Sequence, residues 1–484
     1  MQKPLTFIIA LLLAPLAALH SADSPDKRPN ILFIFADDQR ADTIAALGNP
    51  IIKTPNLDRL AHRGVAFNRA YMQGGFNGAT CVPSRAMLLS GRSLFHVDEK
   101  LRDETWPEAF GKAGYTTFVS GKWHNGDAAL ERSFQIARSM FTGGMTNPLH
   151  AQLRDVTGGK VGAAKLSPKH ACEAFSDETI RFLKEQAEKK GGPFFAYLPF
   201  DAPHDPHVVP EDFPVQYDAQ KMPLPPCFLP QHPFDNGEMV IRDEKLLPWP
   251  RTPGAVRAML AEYYRYITYL DSQIGRVLDA LDASPFAKNT IVVFSADSGV
   301  ARGSHGLIGK QNLYEFDSVR VPLIVSGPGI PEGKRTDAMC YLFDVMPTLG
   351  KQCGVGAPKT SEGIEFTAAL HDPAKPARST MVFAYRAVQR AVRDDRWKLI
   401  RYPQVDRTQI FDLQNDPHEV TDLAGKPEHA AKVAELTSLL EKELQRSGDT
   451  GVLKVPNPKP AAWSPPVEGV KPRQNPGAGK ASAQ

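Results

Sequence analysis

Cysteine is scarce, with five residues in 484. No two of them form a C-x-x-C pair, which argues against a thiolate zinc or redox site. Charge of one sign is also lacking. Fifty-seven Lys and Arg face 54 Asp and Glu, a net charge of +3, and no long basic stripe points to nucleic acid. No extra histidine cluster suggests a second metal. The N-terminal apolar run, Leu5 to Leu19, is short for a membrane span and is interrupted by Pro15. With Lys3 before it and Ser21-Ala22 after it, the run reads as a secretory signal peptide over residues 1–22. The expectation is a periplasmic or secreted protein without stable membrane insertion. No cysteine follows the run, which argues against a lipoprotein. An odd cysteine count in an exported protein leaves one unpaired or modified, and Cys81 is the candidate. The pairing of Cys172, Cys227, Cys340 and Cys353 stays open.

What is present is an ordinary soluble composition, 42% hydrophobic and 23% charged, long enough for a large domain and a smaller one. Short apolar runs alternate with helix-like segments. ILFIFA after Asn30 is a buried strand by its unbroken apolar run. TPNLDRLAHRGVAF follows as a helix with Thr54 as cap and Pro55 in the first turn. Further strands are GYTTFVSG (114–121), PFFAYLPF (193–200), NTIVVFSA (289–296) and VPLIVSGPG (321–329). This order predicts an α/β domain over residues 29–375, with a mainly parallel central sheet flanked by helices. Residues 376–451 predict a smaller α+β subdomain with an antiparallel sheet. Residues 452–484, rich in Pro, Lys, Gly and Ala and with one exposed-looking Trp463, predict a mobile tail. The Pro-rich stretch 203–254 reads as an ordered insertion over the sheet edge.

Chemistry gathers just after the strands, where α/β sheets place their sites. Asp37 and Asp38 follow the first strand and Asp297 follows TIVVFSA. Any one aspartate is more economically a cap. Three from two strands would repel in a partly dry cleft, and a hard divalent cation, Ca²⁺ or Mg²⁺, resolves that. Lys122 and His124 flank Trp123 after a third strand, and His204 lies in APHDPH after a fourth. Lys310 follows in HGLIGKQNLYE. A solvated lysine or a satisfied structural histidine is the plain alternative for each. In GATCVPSRAMLLSGR (78–92), Pro83 sets a first helical turn, so Cys81 stands at or just before a helix N-terminus that favours an anion, with Arg85 one turn on. A thiolate of lowered pKa and a buried structural thiol are both readings of Cys81. Sulfur beside a hard cation is a mismatch, which suggests that the thiol has been converted.

Cys81-Val-Pro-Ser-Arg85 with Leu-Ser-Gly-Arg at 89–92 resembles the signature of type I, formylglycine-dependent sulfatases of the alkaline phosphatase superfamily. NILFIFADD, AGYTTFVSGKWH, APHDPH and SADSG through VPLIVSGPG resemble family blocks in family order, from about Pro29 to about Leu423. The resemblance implies oxidation of Cys81 to formylglycine by a formylglycine-generating enzyme. The hydrated aldehyde attacks sulfur with one hydroxyl, and the other helps to expel sulfate. It implies one bound Ca²⁺, with Mg²⁺ as the alternative, held by Asp37, Asp38, Asp297 and the converted Cys81. Arg85 and Lys122 match groups that stabilise the hydrate and sulfate. His124 matches a partner of the diol. His204 and Lys310 match groups that hold sulfate and help the leaving oxygen, and Asp297 is also matched to a base.

Ser298 stands where the family usually has Asn or His as a metal ligand. Ser298, a water or Gln311 could fill that place. Asn125 replaces the commoner Leu after GKWH. The expected activity is an exported sulfatase acting on a sulfate ester, most often of a sulfated sugar in such relatives. The alternatives are a phosphonate or phosphodiester hydrolase of the same superfamily, and an inactive glycan-binding relative.

Overall fold

The structure, a computed structural model, describes residues 28–466; the leader over 1–22 lies outside them. Eight strands make the central sheet: β1 (Asn30–Ala36), β2 (Gly64–Phe67), β3 (Thr116–Val119), β4 (Ile136–Ala137), β5 (Phe194–Pro199), β6 (Thr290–Ala296), β7 (Leu323–Ser326) and β8 (Lys334–Thr336). Their spatial order is β8-β2-β7-β6-β1-β5-β3-β4. The β6-β1-β5-β3-β4 run is parallel, whereas β7 pairs antiparallel with both β6 and β2. A mainly parallel sheet is therefore observed, with one reversed strand.

The unbroken apolar run of β1 has a direct cause. Ile31, Phe33 and Phe35 enter one core, and Leu32, Ile34 and Ala36 enter another on the opposite face. A strand covered on both sides loses the polar alternation of a half-exposed one. The second face is covered by α1 (Pro55–His62), α3 (Ala171–Glu188) and α4 (Pro253–Asp282), through Leu57, Phe182 and Ile274 among others. The first face receives α2 (Cys81–Ser90), which buries nine of its ten residues and ends on Gly91 at φ 71°.

Thr54 departs from expectation. Its hydroxyl accepts from the Ala45 N–H and donates to Asp58, and the start of α1 is capped instead by the Asp271 carboxylate, which accepts from the Asn56 and Leu57 N–H groups. The insertion 203–254 packs against α4 and the loop after β6. Arg265 on α4 donates to Val215 O at 3.0 Å, and Glu244 accepts from the Ile308 and Gly309 N–H groups.

The smaller sheet joins β9 (Met381–Tyr385), β10 (Gln389–Arg393), β11 (Trp397–Tyr402) and β12 (Arg407–Asp412) as an antiparallel meander. Its fifth member is Gly74–Gly75, contributed by the large domain and parallel to β9. Helix α5 (Ala430–Arg446) covers it through Leu436, Leu440 and Leu444.

The described part of the expected mobile tail, 452–466, is packed. Lys459 N–H donates to Gln404 O, Ala461 O accepts from Asp235 N–H, and Trp463 meets Trp249 edge-on at 5.6 Å. An indole and spare backbone groups give a Pro-rich segment enough to dock. All five cysteines are free and buried, so no disulfide joins them. Among the described residues, no helix is long and apolar enough to cross a membrane.

Candidate active site

The register of the central strands builds the site. Ala36 of β1 pairs with Ala296 of β6, so Asp37 and Asp297 leave the sheet side by side. Asp38 follows at φ 64°, a left-handed conformation that costs a non-glycine residue some free energy. It is held there by its backbone: Asp38 N–H donates to Asp297 Oδ1 at 3.1 Å, and Asp38 O accepts from the Tyr263 hydroxyl at 2.6 Å.

Three cations meet these three carboxylates. Arg85, on the first turns of α2, donates from Nη2 to Asp37 Oδ2 at 2.9 Å and from Nε to Asp297 Oδ2 at 3.0 Å. Lys122 Nζ lies 2.5 Å from Asp37 Oδ2 and also donates to Gly144 O. Lys310 Nζ lies 2.5 Å from Asp38 Oδ1. All six side chains are buried. Sequence reading aimed Arg85 at an anion beside Cys81; here its guanidinium bridges two of the aspartates.

The balance is uneven around the ring. Burial alone would raise the Asp37 carboxyl, but Lys122, Arg85, His204 and Lys310 together hold it well below the ordinary range. Asp297 is pushed up to about 6 by burial and by the neighbouring Asp37, with Arg85 only partly offsetting them. Adjacent carboxylates push their proton affinities apart.

Cys81 is the first residue of α2 and is 2% exposed. Its Sγ lies 3.4 Å from His124 Nδ1. Burial pushes its thiol up to about 11 despite Lys310 and Lys122, as in the buried-thiol reading of the unconverted residue. The same burial, with Lys122, holds His124 down to about 3, so its imidazole is neutral at pH 7. Lys122 and His124 do converge, while Trp123 between them turns into the core. His204 donates from Nδ1 to Asp205 O at 2.7 Å and places Nε2 3.7 Å from Asp38 Oδ2.

Ser298 is close but indirect: its Oγ donates to Asp38 Oδ1 at 2.9 Å. Gln311 spends its amide elsewhere, donating to Gly78 O and Asp243 and accepting from the Lys310 N–H. Asn125 ties the loop to α2, donating to Val82 O and Glu99 O.

Several supporting residues carried no sequence signal. Tyr263 sits on α4, Gly144 is a backbone acceptor, and Arg242 reaches from the insertion to the Asp205 carboxylate. They meet the centre only through contacts distant in sequence, and none belongs to a motif.

The residues fit a hard divalent ion. Ligand atoms of Asp37, Cys81 and Asp297 lie within 4.8 Å of one another, as do those of Asp37, Asp38 and His204. Asp37 Oδ1 is fully buried with no hydrogen-bond partner. An orphaned carboxylate oxygen in a protein interior is costly unless something positive is meant for it. The aspartate oxygens suit calcium or magnesium, whereas the Cys81 sulfur does not.

Comparison with known proteins agrees with this geometry. The sulfatase family model matches residues 29–355, and a second model, the C-terminal region of N-sulphoglucosamine sulphohydrolase, matches 303–446. The chain is similar to the N-acetylglucosamine-6-O-sulfatase of Bacteroides thetaiotaomicron, 27% identical over 90% of this chain and 91% of the relative. It is also similar to the ulvan-active sulfatase of Formosa agariphila, 28% identical over 92% and 88% respectively. A solved structure in complex with its substrate, D-glucosamine-2-N,6-O-disulfate, shares the fold with a TM-score of 0.69 and 23% identity, covering 87% of this chain and 99% of that one. The family match over more than half of the sequence, falling on the segments that assemble the acidic cluster, places this chain in the sulfatase family of the alkaline phosphatase superfamily, as a sulfuric ester hydrolase.

Proposed function

We propose that the protein is an exported sulfatase that hydrolyses a sulfate ester of a carbohydrate, using Cys81 converted to formylglycine and one Ca²⁺ held by Asp37, Asp38 and Asp297. The observation that carries the metal reading is the partnerless, buried Asp37 Oδ1 beside Asp297 and Cys81. The apolar leader supports export, and a formylglycine-generating enzyme is the partner that conversion requires. The carbohydrate reading draws on relatives named for N-acetylglucosamine-6-sulfate and ulvan.

When present, the cation supplies polarisation of sulfuryl oxygens and the hydrated formylglycine supplies the nucleophile. The chain's own groups do the rest. Three buried carboxylates and three buried cations cancel in charge, so a divalent ion leaves the pocket net positive and complementary to an anionic ester. Lys122 and Lys310 flank the centre as ammonium groups for the sulfate oxygens. The neutral His124 holds position 81 through Nδ1. His204 must carry its proton on Nδ1, because the Asp205 carbonyl can only accept, which leaves Nε2 as the atom that exchanges a proton with the leaving oxygen. Ser298 orients Asp38 from behind, a role a short hydroxyl can fill without touching the metal.

The test is sulfate release from a panel of defined sulfated mono- and oligosaccharides, run beside aryl sulfate, aryl phosphonate and aryl phosphodiester. Sulfated sugars are expected to be hydrolysed, with loss of activity in chelator and recovery with Ca²⁺. Faster turnover of the phosphorus esters would favour the phosphonate or phosphodiester hydrolase. Glycan binding without turnover in saturating Ca²⁺ would favour an inactive relative.

A further inference from the structure

We propose that the hollow between the Phe76–Phe95 pair and the β9–β10 hairpin binds the neighbouring sugar ring of the substrate, one that carries an anionic group. This rests on the carbohydrate reading above. The hollow measures about 620 Å³ and opens to solvent, large enough for a sugar ring.

Its wall is aromatic. Phe76 is 41% exposed, high for a large apolar side chain, and stands edge-on to Phe95 at 6.0 Å. The Arg390 guanidinium lies 5.7 Å from its ring centre. Arg390 is fixed by a buried ion pair with Asp449, 2.5 Å apart. The hollow thus has a rigid charged floor and an exposed apolar wall, the pairing that accepts the C–H face of a sugar with polar edges.

Arg386 supplies the recognition of charge. It occupies the hairpin tip at φ 43°, a left-handed conformation that a side chain adopts only under constraint. Its N–H donates to Gly75 O, which anchors the tip to the strand leading into the Cys81 segment. Its side chain is 41% exposed; Nη1 pairs with Glu238 at 2.6 Å, and Nη2 is turned toward Gly78. A Cβ on Gly78 would come within 3.0 Å of that Nη2 and 2.9 Å of Ile241 Cδ1, so the arginine passes close over the glycine. Gly78 O in turn accepts from Gln311, whose side-chain oxygen accepts from the Lys310 N–H. Arg386 is therefore linked through Gly78 and Gln311 to the backbone of Lys310, whose ammonium lies against Asp38. The inferred arrangement has the sulfate at Lys310 and the next ring in the hollow, where the planar guanidinium suits a carboxylate or a second sulfate on that ring.

The experiment compares wild type with Phe76→Ala, Arg386→Gln and Arg386→Lys. The substrates are the best sulfated monosaccharide of the panel and disaccharides in which the neighbouring ring is neutral, a uronate, or itself sulfated. The ratio of kcat/KM for disaccharide over monosaccharide is expected to fall about tenfold in Phe76→Ala for every disaccharide. In Arg386→Gln it falls about tenfold only where the neighbouring ring is anionic, and Arg386→Lys restores part of it. The arm that responds most, uronate or sulfate, identifies the anionic group. Ratios that stay within about twofold of wild type in all variants overturn the subsite while leaving the carbohydrate reading intact. A wild-type enzyme that cleaves aryl sulfate but no sulfated saccharide overturns both. If loss of the Glu238 partner unfolds Arg386→Gln, as its thermal midpoint would show, the solvent-facing Phe76→Ala decides.

Discussion

Arg85 is 1% exposed and spans two carboxylates that strand register has forced together. Replacing it leaves Asp297 buried without its cation, so Arg85→Leu is expected to lose about 3–5 kcal/mol of stability in chelator. Urea midpoints measured with and without Ca²⁺ check this, since a bound ion replaces the missing positive charge and should recover part of the loss. Equal losses in both conditions would deny the metal its place beside Asp297. Ser298→Ala removes the donor to Asp38 Oδ1. Calorimetric titration should find Ca²⁺ binding weakened between about tenfold and a hundredfold, the usual effect of removing an outer-shell partner. The three aspartates were legible in the sequence because they follow apolar strands, and the register Ala36 to Ala296 turns that pattern into proximity. Tyr263 and Gly144 were not legible, because what they contribute is one hydroxyl and one carbonyl brought in from remote segments. The two readings of the Cys81 thiol stayed open in the sequence because a helix N-terminus can be read there and burial cannot.

At the scale of elements, helix α3 depends on a neutral histidine. His170 accepts from the Cys172 N–H through Nδ1 at 3.1 Å and donates from Nε2 to Val208 O at 3.0 Å. Nδ1 can accept only while unprotonated. Burial depresses its pKa from 6.5 to about 4, with the Val208 bond partly offsetting. As pH falls below 6.5 the unfolded chain takes up the proton first, so the contribution is complete above that value and is lost down to about 4. The full shift corresponds to about 3 kcal/mol. His170→Asn keeps a capping acceptor but cannot titrate, so its unfolding free energy should be lower at pH 7 and flatter between pH 7 and 4.5 than that of wild type. Parallel slopes would contradict the assignment. No cap for this helix is legible in the sequence, since histidine is not a usual capping residue. Thr54 shows the reverse error: the right residue type stood in the cap position, and Asp271 of a distant helix took the role.

For the whole molecule, the boundary near residue 375 marks a change of sheet rather than a separable unit. The small sheet takes Gly74–Gly75 from the large domain as its edge beside β9, and Arg393 on β10 is paired with Glu315 in the interior. Residues 376–451 expressed alone are therefore expected to show no cooperative unfolding transition by circular dichroism in urea. A sharp transition would show a self-sufficient domain. The layering and the mainly parallel sense of the central sheet could be read from apolar runs alternating with helix-like segments. The reversed β7, the borrowed glycine strand and the docked segment 452–466 could not, because each depends on pairings between segments far apart in the chain.

The central claim is that position 81 works as a converted residue against a metal held by Asp37, Asp38 and Asp297. Its most direct test is the mass of the peptide spanning residues 78–92 from catalytically active protein made in a host with the converting enzyme. The account predicts the mass in which the CH₂–SH of Cys81 has become CHO, in proportion to the sulfate-releasing activity of each preparation. Full activity in a preparation whose Cys81 peptide carries only the unmodified thiol would contradict it.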